Sequence, residues 1–342
     1  MKPWHGMPKG QGMADAVSFR EWRVNRSLYI AVGALMLLPW MLVLFGDSSG
    51  PGGVMLMLRA ATGDNAGMGP INGWNVVMAG LLALGVFWND RSRGGLETSL
   101  EGPVARRALL LAKMRWGLWI ITGVWVLLFA IVAAIAVITG HAGFVGRLGL
   151  IDVWALSAAG AVYVVTVSFG AAMGSAFFTG MAALLWVELP RVVESVLFHL
   201  TLGSGHQLPA AAAMSWQSTL SDINWLSPLT AQPPVGWLSL AYAAYFAAWG
   251  LFMGWRALVW WEQTPMERFH DPFYYPQLWN LWYAFLAILS GMFVAALAIP
   301  NDGYQEAHIY IATLIFGIPL WFLWRWAWRR LSRSALTWGP EG

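Results

Sequence analysis

Residues 89–115 read NDRSRGGLETSLEGPVARRALLLAKMR, and the interpretation of the whole chain depends on this stretch. It is the densest charged run in the sequence, with six Arg or Lys residues and three Asp or Glu residues between two long apolar segments. A loop this basic between two membrane spans is expected on the cytoplasmic face. The stretch therefore predicts an inner loop of a protein that crosses the membrane several times.

The loop also has internal order. Gly94 and Gly95 break the helix that precedes them. Residues 96–101 fit one and a half helical turns, with Leu96 and Leu100 on the same side. Pro103 is well placed as the first residue of a new helix that continues into the next apolar segment. We therefore predict a short surface helix to which a soluble partner docks. A solvated basic loop with no partner is the alternative.

The same residues carry a family resemblance. The stretch resembles the first cytoplasmic loop of ABC-2 type permeases, the membrane subunits of one class of ABC exporter. That loop commonly reads Gly-x-Leu-Glu, then Pro-Val-x-Arg-Arg, an apolar stretch and Lys. The corresponding residues here are Gly95, Leu96, Glu97, Pro103, Val104, Arg106, Arg107 and Lys113.

The resemblance implies a role for the loop. In this family the loop is a coupling helix that sits in a groove of an ATPase subunit. The implied contact residues in this chain are Leu96, Glu97, Leu100 and Glu101, with Arg106 and Arg107 behind the corner.

Composition points to the same class of protein. Hydrophobic residues make up 58% of the 342 residues and charged residues only 11%, which is about half the charged share of a soluble domain. The absence of cysteine excludes disulfides, thiol catalysis and thiolate metal sites. The net charge of +3 is explained by inner loops, so we expect membrane lipid and no nucleic acid as a partner.

Apolar segments of about 20 residues predict an all-α polytopic membrane protein with about eight transmembrane helices. The first six form an ABC-2 type core by resemblance, and the last two form an additional C-terminal helix pair. Asn72 and Asn75 lie near the outer end of the second span. The predicted spans are 28–45, 71–88, 116–138, 151–173, 181–200, 237–260, 277–299 and 308–328.

Three regions follow from these spans. Residues 1–26 form a cytoplasmic N-terminus whose residues 14–25 are predicted as an interfacial helix, with an ordinary basic flank of the first span as the alternative. Residues 27–261 form the core, with the coupling loop at 89–115 and an extracellular loop at 201–236. Residues 262–342 contain an inner loop, the extra pair and a basic tail. Two short turns are predicted, an outer one at 143–149 and an inner one at 174–180.

The distribution of positive charge predicts the orientation. Among the 20 Lys and Arg residues, only Arg59, Arg147 and Arg191 lie away from the inner segments and the span ends that adjoin them. This bias predicts that both termini are cytoplasmic, in the cell membrane. The residues 226–229, Leu-Ser-Pro-Leu, resemble the Ser-Pro element that precedes a later span in many ABC-2 permeases.

The fifth span contains an unusual charged cluster. Glu188, Arg191 and Glu194 are spaced by three residues and would share one helical face beside Pro190. Because charge inside a membrane should face protein or water, this cluster is a candidate lining of a translocation path or a dimer seam. The alternatives are an ion pair that fixes helix packing, or a cluster at the outer interface because the span ends early.

The chain contains neither the P-loop pattern G-x-x-x-x-G-K-[ST] nor the metalloprotease pattern H-E-x-x-H. We therefore expect no enzyme activity, metal or cofactor in this chain, with ATP and Mg²⁺ on a partner ATPase subunit. The resemblance implies a permease that pairs with a second permease subunit and exports a hydrophobic, peptide-like or lipid-like substrate. The alternatives are a non-transporting sensor or scaffold subunit of an envelope-stress or antibiotic-resistance complex, and an ion-coupled secondary transporter.

Overall fold

The computed structural model describes residues 11–45, 69–92, 106–202, 226–228, 236–263, 275 and 315–326, and most of 279–291. Within these ranges, regular secondary structure is entirely helical and no strand occurs. This confirms the all-α fold class. The chain divides into two compact units, Met1–Pro190 with Asn224–Pro272, and Arg191–Ile223 with Phe273–Gly342.

Long helices build the first unit. Short breaks at 139–141 and 173–175 separate three of them along the chain. The helices are α1 (Gln11–Phe45), α2 (Gly69–Ser92), α3 (Arg106–Ile138), α4 (Val145–Ala172), the part of α5 (Ala176–Leu202) up to Pro190, and α6 (Leu238–Gln263), with a 3₁₀ turn at Ala142–Phe144 before α4.

Among the residues that the structure describes, four helical segments are long and apolar enough to cross a membrane. They correspond to the predicted spans 1, 3, 4 and 6, and Ala176–Pro190 is a shorter apolar helix at predicted span 5. These helices support a helical membrane protein. The total of eight spans and the ABC-2 type core remain predictions. The four segments are Ala16–Leu42, Arg106–Ile138, Ala142–Ala172 and Leu238–Gln263.

The helices of the first unit alternate in direction. We call the end where α2 finishes and α3 begins the loop end. Asn89, near the end of α2, contacts Asn25, which lies in the N-terminal half of α1. Trp261, near the end of α6, donates a hydrogen bond from Nε1 to the carbonyl oxygen of Arg106, at the start of α3. Thus α1 and α3 start at the loop end, and α2 and α6 finish there.

Helix α4 is the central helix of this unit. In its apolar 18-residue stretch, 67% of the residues are buried, whereas the corresponding share is 22–33% in the other three membrane-length segments. Small residues explain the close packing, since Ala158 and Ala159 are fully buried and a Cβ on Gly250 of α6 would lie 3.5 Å from the Cα of Ala161. Small residues let helices approach closely in lipid, as the sequence of this span indicates.

The N-terminal segment differs from its prediction. Residues 14–25 are helical, but α1 continues from Gln11 to Phe45 without a break between the predicted interfacial helix and the first span. Val17, Ser18, Glu21 and Asn25 are buried. The reason is tertiary: this polar face packs against other helices, whereas its sequence suggested contact with lipid headgroups.

Both short turns that flank α4 were predicted too long. The outer turn spans only 139–141, so Arg147 lies in the first turn of α4 and the predicted loop at 143–149 is wrong. Gly140, with φ of 78°, ends α3 as expected because glycine adopts this conformation without strain. The inner break spans 173–175, so the predicted turn at 174–180 is also wrong. Thr179 donates from N and from Oγ1 to the carbonyl of Ser175 and thereby begins α5 early.

The second unit is described in three parts: the end of α5, helical residues between 279 and 291, and helix 315–326. The latter two pack together. Trp324 Nε1 donates to Ser290 Oγ at 3.3 Å, and a Cβ on Gly317 would lie 3.4 Å from the carbonyl oxygen of Ala287. Both members of the predicted C-terminal helix pair therefore contain helix, while their full extents remain predictions.

Candidate functional site

The predicted coupling loop at 89–115 is described at its two ends, residues 89–92 and 106–115. Leu96, Glu97, Leu100 and Glu101 lie outside the described residues, whereas Arg106 and Arg107 are the first two residues of α3. Arg107 is exposed and Arg106 is half-buried. Because α3 starts with these residues, the predicted loop leads directly into a membrane-length helix.

A buried ion pair lies two turns further along α3. Lys113 Nζ is 3.0 Å from Glu21 Oε2 and 3.2 Å from Glu21 Oε1, and the two side chains are 0% and 3% exposed. The pair joins α3 to α1 across 92 residues of sequence. A buried pair of this kind is retained only where geometry is good and further hydrogen bonds satisfy both groups.

Two neutral side chains also donate hydrogen bonds to the Glu21 carboxylate. Asn25 Nδ2 donates to Glu21 Oε1 at 2.7 Å, and Tyr29 OH donates to the same oxygen at 3.2 Å. Asn89 of α2 then donates from Nδ2 to Asn25 Oδ1 at 2.5 Å. The carboxylate thus accepts from three side chains, and the network includes α1, α2 and α3.

The Lys113 residue also contacts α2 and α4. Its ammonium lies 5.7 Å from the ring centroid of Phe87, within the range of a cation–π interaction. Its carbonyl oxygen accepts a 2.8 Å hydrogen bond from Tyr163 OH. Gly117 permits this approach, because a Cβ there would lie 2.0 Å from Tyr163 Cζ. We call Glu21, Asn25, Tyr29, Asn89, Lys113 and Tyr163 the buried polar cluster.

A second set of contacts joins α1 to α3 beside this cluster. Arg115 Nη2 donates to Ser18 Oγ, and Trp116 Nε1 donates to the Ser18 carbonyl oxygen at 2.8 Å. The Trp116 ring packs on Trp22, with centroids 4.7 Å apart, and Trp22 stacks on Tyr29 at 6.0 Å. The start of α3 is therefore held to α1 by polar and aromatic contacts together.

Helix α3 is longer than a membrane span requires, and this length explains how a membrane helix can carry four basic residues. Its 33 residues span about 50 Å at 1.5 Å per residue. A hydrocarbon core is about 30 Å thick, so part of α3 projects beyond it. The basic residues lie in the first three turns and the remainder is apolar. We infer that the buried polar cluster lies near the membrane surface, where the cost of its charges is lower than at mid-bilayer.

Sequence reasoning did not identify this cluster. Lys113 belonged to the loop motif without an assigned role, and Glu21 was grouped with charges expected at the headgroups. One local signal was available: Glu21, Asn25 and Tyr29 follow one another at intervals of four residues, and such residues share a helical face. Their partner on α3 could not be read from that spacing.

The predicted cluster on α5 is described in part. Helix α5 includes Glu188, Arg191 and Glu194, and Pro190 lies inside it. The Glu188 side chain is half-buried. The side chains of Arg191 and Glu194 lie outside the described residues, so their assignment to a translocation path or dimer seam remains a prediction.

An aromatic cavity lies beside the Glu188 turn. It has a volume of about 180 Å³ and is lined by α4, α5, α6 and residues 226–228. Trp186 and Trp249 stack with centroids 4.9 Å apart and planes within 1°. Ser227 Oγ donates to the Val187 carbonyl oxygen at 3.1 Å, which attaches the predicted Ser-Pro element to α5 one turn from Pro190.

A larger apolar groove of about 370 Å³ lies between α2, α4 and α5. Its lining includes Val77, Leu81, Phe177 and Leu184, all exposed, and Thr166, whose hydroxyl donates to the Val162 carbonyl oxygen at 2.8 Å. A groove of this composition offers van der Waals contact and no hydrogen bond to an occupant.

Among the described residues, no group of three or more His, Asp or Glu side chains is placed to hold a metal ion. The arrangement described is thus one of packing and charge pairing around the start of α3. Comparison of the chain with protein-family models, with curated proteins and with solved structures finds no match.

Proposed function

We propose that this chain is the membrane-spanning permease subunit of an ABC-2 type exporter. The proposal rests on the family resemblance of residues 95–113 and on one structural observation that supports it. The C-terminal part of that stretch is the start of α3, which is joined to α1, α2 and α4 by the buried polar cluster and to α6 by Trp261. A displacement applied to the loop would therefore move several helices together.

The mechanism is the one that the family resemblance implies, and these contacts support it. A separate ATPase subunit binds ATP with Mg²⁺ and presses on the surface helix at 96–101. Since α3 is nearly 50 Å long and behaves as a rod, motion of its start is carried to the opposite end. Two permease subunits with two ATPase subunits then alternate access to a path between the permeases, in the cell membrane with both termini cytoplasmic.

The substrate class is proposed from the surfaces of the first unit. The apolar groove and the aromatic cavity favour a hydrophobic, peptide-like or lipid-like molecule, because each offers mostly apolar contact area. Glu188 lies next to residues that line the aromatic cavity. A path there would place one charged side chain beside aromatic surfaces.

The test is replacement of the surface helix. The full chain is purified in detergent from its native membrane, and ATP hydrolysis is measured in the sample. A variant with residues 96–101 replaced by a glycine-serine segment of equal length is compared with one that carries the same replacement at 203–208. We expect a P-loop ATPase with the unmodified chain and the 203–208 variant, and its loss from the 96–101 variant. ATP hydrolysis that is unaffected by the 96–101 replacement would contradict the proposal.

A second candidate, an ion-coupled secondary transporter, is favoured by Asp152. This acidic residue lies within the membrane-length segment Ala142–Ala172 and lines a small, mostly apolar cavity. Acidic residues inside spans commonly mark ion or proton paths. Uptake or export by liposomes that contain the purified chain alone, driven by a proton or sodium gradient without ATP, would favour this candidate over the first.

A further inference from the structure

At the end of the first unit opposite the loop end, a small, partly open cavity lies between α1, α2, α3 and α4. Its volume is about 30 Å³, and Asn72, Trp125 and Asp152 contribute its polar lining. Apolar side chains, among them Leu128 and Ile151, form the rest of the wall.

Two of the polar side chains are buried without partners. Among the described residues, neither Nδ2 nor Oδ1 of Asn72 makes a hydrogen bond, and Nε1 of Trp125 makes none. Both side chains are only 2% exposed. Unpaired polar groups are costly when buried, and more so in a membrane, where lipid supplies no hydrogen bonds.

The neighbouring amide makes a useful comparison. In the orientation that satisfies both of its ends, Asn75 donates to the Met36 carbonyl oxygen at 2.9 Å and accepts from Trp40 Nε1 at 2.8 Å. One turn of α2 therefore presents two amides, of which one is satisfied by protein and the other faces the cavity.

We propose that this cavity is a binding site for a single water molecule that bridges Asn72, Trp125 and Asp152. The volume of about 30 Å³ is enough for one water, which needs about 10–15 Å³ of accessible space, and a buried water needs two to four polar partners. Water accepts from Trp125 Nε1 and from Asn72 Nδ2, and donates to Asn72 Oδ1 and to a carboxylate oxygen of Asp152. The indole and amide N–H donors disfavour a cation, which requires oxygen ligands.

This bridge joins α2, α3 and α4 at the end opposite the buried polar cluster. The two sites thus hold the same three helices at both ends, one by direct contacts and one through water. The inference concerns the fold of the chain and does not depend on the proposed function.

The test is whether the Asn72→Leu substitution raises or lowers the melting temperature of the full chain, purified in detergent. Asn72→Leu keeps the size of the side chain and removes its polar atoms. If water is bound, the variant leaves Trp125 and Asp152 without their bridge, and we expect the melting temperature to fall by about 2–4 °C. If the amide is merely unpaired, its removal is neutral or stabilising, and an unchanged or higher melting temperature would overturn the proposal.

Additivity gives a second readout. Trp125→Phe removes a donor to the same water, so we expect the double variant with Asn72→Leu to lose less than the sum of the single losses. Trp154→Phe is the matched control, since the Trp154 indole N–H is also buried and unpartnered but does not line the cavity. Its combination with Asn72→Leu should be additive. Additive losses for the Trp125 pair would count against a shared ligand.

The unmodified chain supplies the direct measurement. A high-resolution experimental structure should show one density peak at about 2.7–3.2 Å from the Asn72 amide and from Trp125 Nε1. A cavity without such a peak would overturn the proposal. Replacement of sodium and potassium by choline should leave the melting temperature unchanged, and a dependence on either ion would instead assign the site to a cation.

Discussion

At the scale of single residues, the Glu21–Lys113 pair places two opposite charges in the interior of the first unit. Both charges are removed from water, and their attraction compensates for this loss only because Asn25 and Tyr29 also donate to Glu21. The removal of one partner would leave the other charge buried and unpaired. Removal of both charges would avoid that cost.

Lys113→Met should therefore destabilise the chain by roughly 3–5 kcal/mol. The double variant Glu21→Gln with Lys113→Met should recover part of this loss, because no uncompensated charge remains. Denaturant titration of the purified chain in mild detergent measures both. Arg107→Met, at an exposed position in the same helix, is the control and should change stability by less than about 0.5 kcal/mol. Equal losses for Arg107→Met and Lys113→Met would show that the pair contributes nothing specific.

At the scale of helices, the contact between α3 and α4 depends on the absence of a side chain at Gly117. Tyr163 is fully buried against this glycine and donates to the Lys113 carbonyl oxygen. Gly123 lies on the same helix, and an added Cβ there would meet nothing within 4 Å. The two glycines therefore form a matched pair that differs in packing alone.

Gly117→Ala should cost about 1–3 kcal/mol, because Tyr163 must move from a well-packed site. Gly123→Ala should be neutral or stabilising by up to about 1 kcal/mol, since alanine is the better helix former. Thermal unfolding of both variants in the same detergent gives the comparison. A loss at Gly123 as large as that at Gly117 would point to helix backbone effects rather than to the α3–α4 contact.

Pro190 lies inside helix α5 and has no backbone N–H, so the helix lacks one backbone hydrogen bond at this position. Glu188 lies two residues before this point. Under the proposed function, Glu188→Gln should change the ATP hydrolysis of the reconstituted complex several-fold while the amount of chain in the membrane fraction stays the same. Glu262→Gln, at an exposed position near the end of α6, should leave both unchanged. Normal activity in the Glu188 variant would remove this residue from the proposed path.

At the scale of the whole molecule, basic residues concentrate at the loop end of the first unit, where α3 carries four of them in its first three turns. Arg107 is exposed at the loop end, and Arg147 is exposed in the first turn of α4 at the opposite end. The positive-inside bias then predicts that the loop end faces the cytoplasm.

Because the chain contains no cysteine, single-cysteine variants report on sidedness without background. Arg147→Cys should react with a membrane-impermeant maleimide added to intact cells or spheroplasts, and Arg107→Cys should react only in inverted vesicles. Reaction of Arg107→Cys from the outside would reverse the orientation and contradict the proposed contact with an ATPase.

Sequence alone determined the features that depend on local pattern. Long apolar segments set by composition predicted an all-helical membrane protein, and four of them are membrane-length helices in the structure. Gly140 ended α3 where expected because its conformation favours glycine. Helix starts beside small or polar residues were less predictable: α4 and α5 both begin earlier than expected, and at the start of α5 Thr179 donates from N and Oγ1 to the Ser175 carbonyl oxygen.

Only the tertiary structure decided which polar residues meet. Glu21 and Lys113 are 92 residues apart, and nothing in either local pattern selects the other as a partner. The same holds for the continuity of α1, whose polar N-terminal face is buried by α3 although its sequence is also compatible with a membrane surface. The local sequence specifies which face of a helix must be buried. Packing decides which helix covers that face, because a buried charge here requires another helix to supply the opposite charge.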